Sequence, residues 1–252
     1  MTIALIAAAA FAAWLLNTIG GGGGEFILIL AVSHLLGAQA VAPVVTLGNL
    51  MGVPGRVLLF REYIEWRIVR WFLTGAVPGA LLGAFLFTRT HAEWLQIVIA
   101  IFLISAPLQY RWGERERTFT MRVWWFLPAG FVVALLSGLL GGTGPVLNPL
   151  YLNYGAVKRE MIGTKGFNAL VMHAIKTGTY ATFGALATGY VIYGVAAGIA
   201  ALAGNWLGKR YLDRISAQRF RTFVTWLMLV SGVAMLWQQR GLIAALADAA
   251  LR

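Results

Sequence analysis

Lys176 lies well inside an apolar stretch of the chain, the run at 166–186. An ionised amine there is costly unless it faces a pathway, a partner or water. At about 100° per residue, Lys165, Asn168, Met172, Lys176, Thr179 and Phe183 fall on one narrow helical stripe, with His173 to one side. In an earlier run Thr46, Asn49, Val53 and Arg56 share a comparable face. Such amides and cations are the donors a small anion needs on leaving water, and hydrogen bonds to charged groups contribute about 1.5–3 kcal/mol each. Snorkelling to an interface is the competing account of Lys176, and more so of Arg56 and Lys165, which lie nearer helix ends. His173 is either a proton carrier or a hydrogen-bonded packing residue. Glu25 starts a short helical run, where the positive helix end favours a carboxylate; it is alternatively a group that exchanges a coupled proton.

Two glycine clusters accompany these stripes. Gly20–Gly24 precedes Glu25, and Gly141, Gly142, Thr143 and Gly144 precede Pro145. Five consecutive glycines do not sustain a helix, and Pro145 removes an amide donor and disfavours helix before it. Each cluster follows an apolar run of about 17 residues and precedes one of about ten, Phe26–Leu36 or Val146–Tyr154. At 1.5 Å per residue these span roughly 25 and 16 Å, both short of a hydrocarbon core of about 30 Å. Broken backbone at membrane depth must be covered by protein or water, so the two tips are expected to meet inside the molecule. Each short run presents unpaired amides and a positive partial charge there, and successive glycine amides form an anion cradle. The predicted substrate-binding set is therefore Gly22, Gly23, Gly24, Asn49, Arg56, Gly142, Thr143, Gly144, Asn168 and Lys176. Glu25 and His173 are the candidates for proton coupling, and Asn17 and Ser137 are placed to cap the tips or line the cavity. The alternative is that the glycines only permit a tightly packed bend.

The elements that must position these residues are set by composition. The chain has 252 residues, 60% hydrophobic and 12% charged, with a mean hydropathy of +0.76. That excludes an ordinary soluble domain and a disordered chain, and leaves room for at most about eight or nine membrane segments. With no Cys, disulfides, thiol chemistry and Cys-based metal sites are excluded; no metal or cofactor is expected. A net charge of +11 in a membrane protein sets topology rather than binding nucleic acid. The stretch Ile3–Leu16 lacks basic residues and a clear cleavage site, so it reads as structure rather than a leader. Further apolar runs lie near 40–59, 68–88, 92–110, 123–140, 166–186, 189–207 and 222–238. No G-x-S-x-G pattern surrounds Ser137 and no G-x-x-x-x-G-K-[ST] loop occurs, so neither a hydrolase nor an ATP-driven pump is expected.

The chain repeats. Gly21, Gly22 and Gly24 recur as Gly141, Gly142 and Gly144, and after a one-residue deletion Asn49, Gly75 and Gly79 recur as Asn168, Gly194 and Gly198. This divides the chain into a first membrane repeat at 1–110, a linker at 111–122, a second repeat at 123–240 and a tail at 241–252. The broken segments are either full spans or hairpins that enter and leave on one side. If both are hairpins, the loops at 56–70, 111–122, 155–165 and 208–221 share one face and hold 16 Lys and Arg, against Arg89, Arg240 and Arg252 opposite. If both are full spans the split is nearly even, which the positive-inside rule disfavours. The predicted fold is an all-α polytopic membrane protein of two inverted repeats. Each repeat is a glycine-broken re-entrant helical hairpin plus three transmembrane helices, with both termini outside and the linker cytoplasmic.

The segments IGGGGGEF at 19–26 and LLSGLLGGTGPVLNPLYL at 135–152, the duplication, and the Asn-bearing helix after each tip resemble the sulfite exporter TauE/SafE family, also called the 4-toluene sulfonate uptake permease family. The resemblance covers nearly the whole chain. It implies a transporter, in a bacterial inner membrane, of sulfite, sulfonates or other small organic anions, by export or uptake. Proton or sodium coupling and oligomeric state stay open. Pro145 stands where the first repeat has Glu25, so a symmetric site is not implied. Trp14, Trp66, Trp71, Trp124 and Trp125 suit an aromatic sulfonate or, equally, interfacial belts. The competing functions are a passive anion channel and a carrier of a carboxylate or another sulfur oxyanion. The expected partners are the small anion and membrane lipid.

Overall fold

The computed structural model describes residues 1–22, 24–87, 101, 104, 119–140 and 146–241. Gly23, Gly142, Thr143 and Gly144 of the predicted site, most of the 92–110 run and of the linker, and the tail from 242 lie outside the described residues. Within them the chain is helical, with no strand. The helices are α1 (Thr2–Gly20), α2 (Glu25–Leu36), α3 (Ala38–Phe60), α4 (Trp66–Phe87), α5 (Phe126–Leu140), α6 (Asn148–Tyr154), α7 (Lys158–Thr182), α8 (Thr188–Arg214) and α9 (Ala217–Gln238).

Glycine conformation ends α1. Gly21 takes φ +67° and Gly22 φ +136°, values L side chains rarely adopt. The Asn17 side-chain Oδ1 accepts from the Gly24 backbone N–H at 2.8 Å, and a Cβ on Gly24 would run into the backbone of Ala13. The chain has therefore turned back on itself, and α2 packs along α1. The first arm is longer than the sequence suggested: α1 has 19 residues and continues to Gly20, because the break comes only where φ turns positive.

Among the described residues, four helical segments are long and apolar enough to cross a bilayer, Thr2–Gly20, Ala40–Tyr63, Trp66–Phe87 and Thr188–Arg214. With 25 residues in α7 and 22 in α9, these two match them in length but carry more polar groups, on the Lys165–Lys176 stripe and at Gln218 and Arg219. Leu58, Trp66, Trp71, Ile199, Trp206 and Trp226 are exposed, the outward apolar surface expected of lipid-facing helices.

Small residues bring helices into backbone contact. A Cβ on Gly75, Gly79 or Gly83 of α4 would overlap the main chain of α5 at Leu127, Phe131 or Leu135. On α8, Gly204 and Gly208 lean on Phe11, Leu15 and Thr18 of α1, while Gly194 and Gly198 take Leu47 and Met51 of α3. The resulting partners are α4 with α5, α8 with α1, α3 with α8, α4 with α7, and α3 with α7. One apolar core gathers Phe60, Phe72, Phe126 and Tyr151. A second gathers Ile6, Trp14, Leu28, Val44 and Ala197.

Candidate functional site

The turn after α1, the start of α6 and one face of α7 enclose a cavity of about 70 Å³. Its polar wall comes from Asn17, Glu25, Arg56, Ser137, Tyr151, Lys165, Asn168 and His173, with Gly21 and Gly22 contributing backbone. Phe72, Val133, Leu147, Ala169 and Met172 complete it. Glu25 is the one acidic residue among these lining groups.

Arg56 reaches the wall from the last turns of α3. Its side chain is only 7% exposed, its guanidinium lies 4.5 Å over the Trp14 ring, and its Nε donates to Asn205 Oδ1 at 3.4 Å. Its Nη2 has no hydrogen-bond partner, so a buried donor remains available beside the cavity. Asn205 also accepts from the Thr18 hydroxyl at 2.8 Å and donates to the Gly52 carbonyl at 2.8 Å. One amide on α8 thus joins α1 to the helix that carries Arg56.

On α7, Asn168 donates to the Tyr151 hydroxyl at 3.0 Å and leaves its carbonyl oxygen unpartnered; His173 Nδ1 is likewise buried without a partner. Lys176 is fully buried and donates to Ser137 Oγ at 2.9 Å. It stands behind Ser137 rather than on the cavity wall. Lys165 donates to the Gly21 carbonyl and to Asn148 Oδ1, with its ammonium 6.0 Å from the Tyr151 ring. Asn148 Nδ2 also points at the Gly20 carbonyl, at 3.5 Å. The first glycine turn is therefore held by α6 and α7 from the other half of the chain.

Of the predicted set, Gly22, Arg56 and Asn168 meet at this cavity, together with Glu25 and His173. Asn49 is buried with both amide atoms unpartnered but does not line the cavity. Gly24 packs against Ala13 instead. Neither Arg56 nor Lys176 reaches the surface, so snorkelling does not account for them. Phe183, expected on the α7 stripe, is 51% exposed, because α7 ends at Thr182. Asn17 takes the capping position anticipated for it. Tyr151, Asn148 and Asn205 were not picked out from the sequence. Asn205 had a visible signal, a lone amide within the apolar run at 189–207; Tyr151 had none beyond its place in the short run after the second glycine cluster.

A helical membrane protein with an interior polar cavity is the architecture of a membrane transport protein. The chain matches the sulfite exporter TauE/SafE family over residues 5–235 and belongs to that family. It is 26% identical over 227 residues to a probable membrane transporter protein, y4hK, of Sinorhizobium fredii (strain NBRC 101917 / NGR234), covering 86% of this chain and 90% of that one. No solved structure matches it.

Proposed function

We propose that the chain is a secondary transporter of small anions, with sulfite or a small organosulfonate as substrate, held between the two glycine-rich segments at 20–24 and 141–144. The observation that carries this is the charge on the cavity wall. Arg56, with an unpartnered Nη2, and Lys165 outnumber the carboxylate of Glu25, and Lys176 adds a third cation one hydroxyl away. Buried charge needs a counter-charge or hydrogen-bond partners, and an oxyanion supplies both. At roughly 10–15 Å³ per water, a cavity of about 70 Å³ has room for an ion of a few heavy atoms.

The proposed substrate-binding residues are Gly22, Arg56 and Asn168 on the cavity wall, Lys176 acting through Ser137, and Gly23, Gly142, Thr143 and Gly144 of the glycine clusters, with Glu25 and His173 in proton coupling; Gly24 and Asn49 stand off the wall and are left out of the set. The proposed fold is two inverted repeats, 1–110 and 123–240, joined by a cytoplasmic linker, each with a re-entrant hairpin and three crossings. Its support is an exchange of partners. Swapping α1, α2, α3 and α4 for α5, α6, α7 and α8 turns the α4–α5 contact into α8–α1 and the α3–α8 contact into α7–α4. Arg56 and Lys165 belong to the cavity and so leave the charge count, yet a split of 14 to 3 still obeys the positive-inside rule. Both termini then face outward from a bacterial inner membrane.

Uptake of radiolabelled sulfite into proteoliposomes tests the function. A carrier coupled to protons concentrates sulfite against its gradient and stops doing so when a protonophore is added. Mere equilibration of sulfite, indifferent to a protonophore and to an imposed sodium gradient, rejects coupled transport and favours the channel reading. No sulfite flux in either condition removes sulfite as substrate.

A further inference from the structure

We infer that Lys165 is the principal cationic ligand of the transported anion, and that Gly21 and Asn148 compete with the anion for its ammonium. The inference rests on the anion-transport reading and adds a residue and a mechanism to it. Lys165 stands on the cavity wall and donates to two uncharged acceptors, the Gly21 carbonyl and Asn148 Oδ1. Gly21 belongs to the first glycine turn and Asn148 opens α6, so this one ammonium ties the turn of the first half to a short helix of the second. The turn is closely seated: Met161 Cε lies 2.8 Å from where a Cβ on Gly21 would stand.

The three cations around the cavity differ in what an anion would cost them. Arg56 is fixed by Trp14 and Asn205 and has a spare donor at Nη2, so it can take an anion without releasing either. Lys176 is bonded to Ser137 and stands behind the wall. Lys165 alone among them faces the cavity while its ammonium holds the glycine turn. The third N–H of the ammonium meets the anion first, and because a full negative charge attracts it more strongly than either neutral carbonyl oxygen does, the entering anion draws Lys165 off its two acceptors. The turn is then retained on that side by the longer Asn148–Gly20 contact, at 3.5 Å. Binding therefore loosens the contact between the halves, which couples occupancy of the site to movement of the glycine turn.

Competition gives the two neighbours opposite signs. In the purified full-length protein titrated with sodium sulfite, Lys165→Met should weaken binding by about 10- to 100-fold, as for a lost hydrogen bond to a charged group. Asn148→Ala removes a competitor and should tighten binding several-fold. Spin labels at Ile19→Cys and Leu150→Cys, in a chain with no Cys of its own, report the separation of the turn from α6. Saturating sulfite should lengthen or broaden that distance in the otherwise wild-type protein. Lys165→Met should show the broadened distribution without sulfite and no further response. Lys165→Gln keeps a donor without charge; it should keep the narrow distribution and lose affinity, and it serves if the Met variant fails to fold. Wild-type affinity in both Lys165 variants, or weakening by Asn148→Ala, overturns the inference. If sulfite and methanesulfonate both fail to bind wild type, the anion reading fails. The distance comparison without ligand then still decides the tie, and identical distributions in wild type and Lys165→Met reject it.

Discussion

Asn205 takes part in three buried hydrogen bonds: Oδ1 accepts from Thr18 and from Arg56, and Nδ2 donates to Gly52. Replacing it with Leu leaves the Thr18 hydroxyl without this acceptor and frees the guanidinium to swing about Trp14. Each buried polar group so stranded costs about 1–3 kcal/mol, so Asn205→Leu should lower the melting temperature in detergent measurably. It should also weaken sulfite binding, because Arg56 no longer points at the cavity. Unchanged affinity in a destabilised Asn205→Leu protein would confine Asn205 to packing. Lys176→Met separates charge from length: if Lys176 contributes its field through Ser137, binding falls by about tenfold, near the lower bound for a hydrogen bond to a charged group. Full activity would leave the lysine as structural. At this scale the sequence was informative where a residue type was out of place. Lys176, Arg56 and Asn168 stood out as polar groups in apolar runs. Tyr151 did not, because an aromatic in such a run is unremarkable until Asn168 is seen bonded to its hydroxyl.

Helix punctuation was legible because glycine and proline act locally: α2 starts at Glu25 and α6 ends at Tyr154, where the glycine runs and apolar lengths placed them. Packing partners were not, since which helix a small-residue stripe touches depends on the whole fold. Gly75 and Gly79 match Gly194 and Gly198 in the repeat, yet the first pair leans on α5 and the second on α3. The exchange of partners holds between elements without holding glycine by glycine. The α4–α5 contact carries a prediction with an internal control. At Gly79 a Cβ would meet the Phe131 carbonyl, main chain that cannot step aside, so Gly79→Ala should destabilise by about 1–3 kcal/mol, the usual cost of overpacking. At Gly178 nothing lies within 4 Å, so Gly178→Ala should be neutral or stabilising by up to about 1 kcal/mol through helix propensity. Equal melting temperatures for the two variants would mean that α4 and α5 are not in backbone contact.

For the molecule as a whole, the depth of the first glycine turn follows from α2. Twelve residues rise about 18 Å, somewhat more than half of a hydrocarbon core of about 30 Å. A turn at that depth needs protein around it, and Lys165, Asn148 and Met161 supply it. The arrangement makes a prediction about sides. With α2 running back along α1, Thr2 and His34 emerge on the same face of the membrane, together with Thr188. The basic loops after α3 and α8, sampled at Glu62 and Ala217, emerge on the other. Because the chain contains no Cys, single cysteines at these five positions can be labelled by an impermeant maleimide in intact and permeabilised cells without removing background thiols. His34, Glu62, Thr188 and Ala217 are exposed and Thr2 partly so, so poor reactivity in intact cells reports sidedness rather than burial. Cysteines at 2, 34 and 188 should react in intact cells, and those at 62 and 217 only after permeabilisation. If positions 2 and 34 lie on opposite sides, α1 and α2 form one broken span. The 14 to 3 charge asymmetry would then lose its basis, and with it the inverted relation of the two halves.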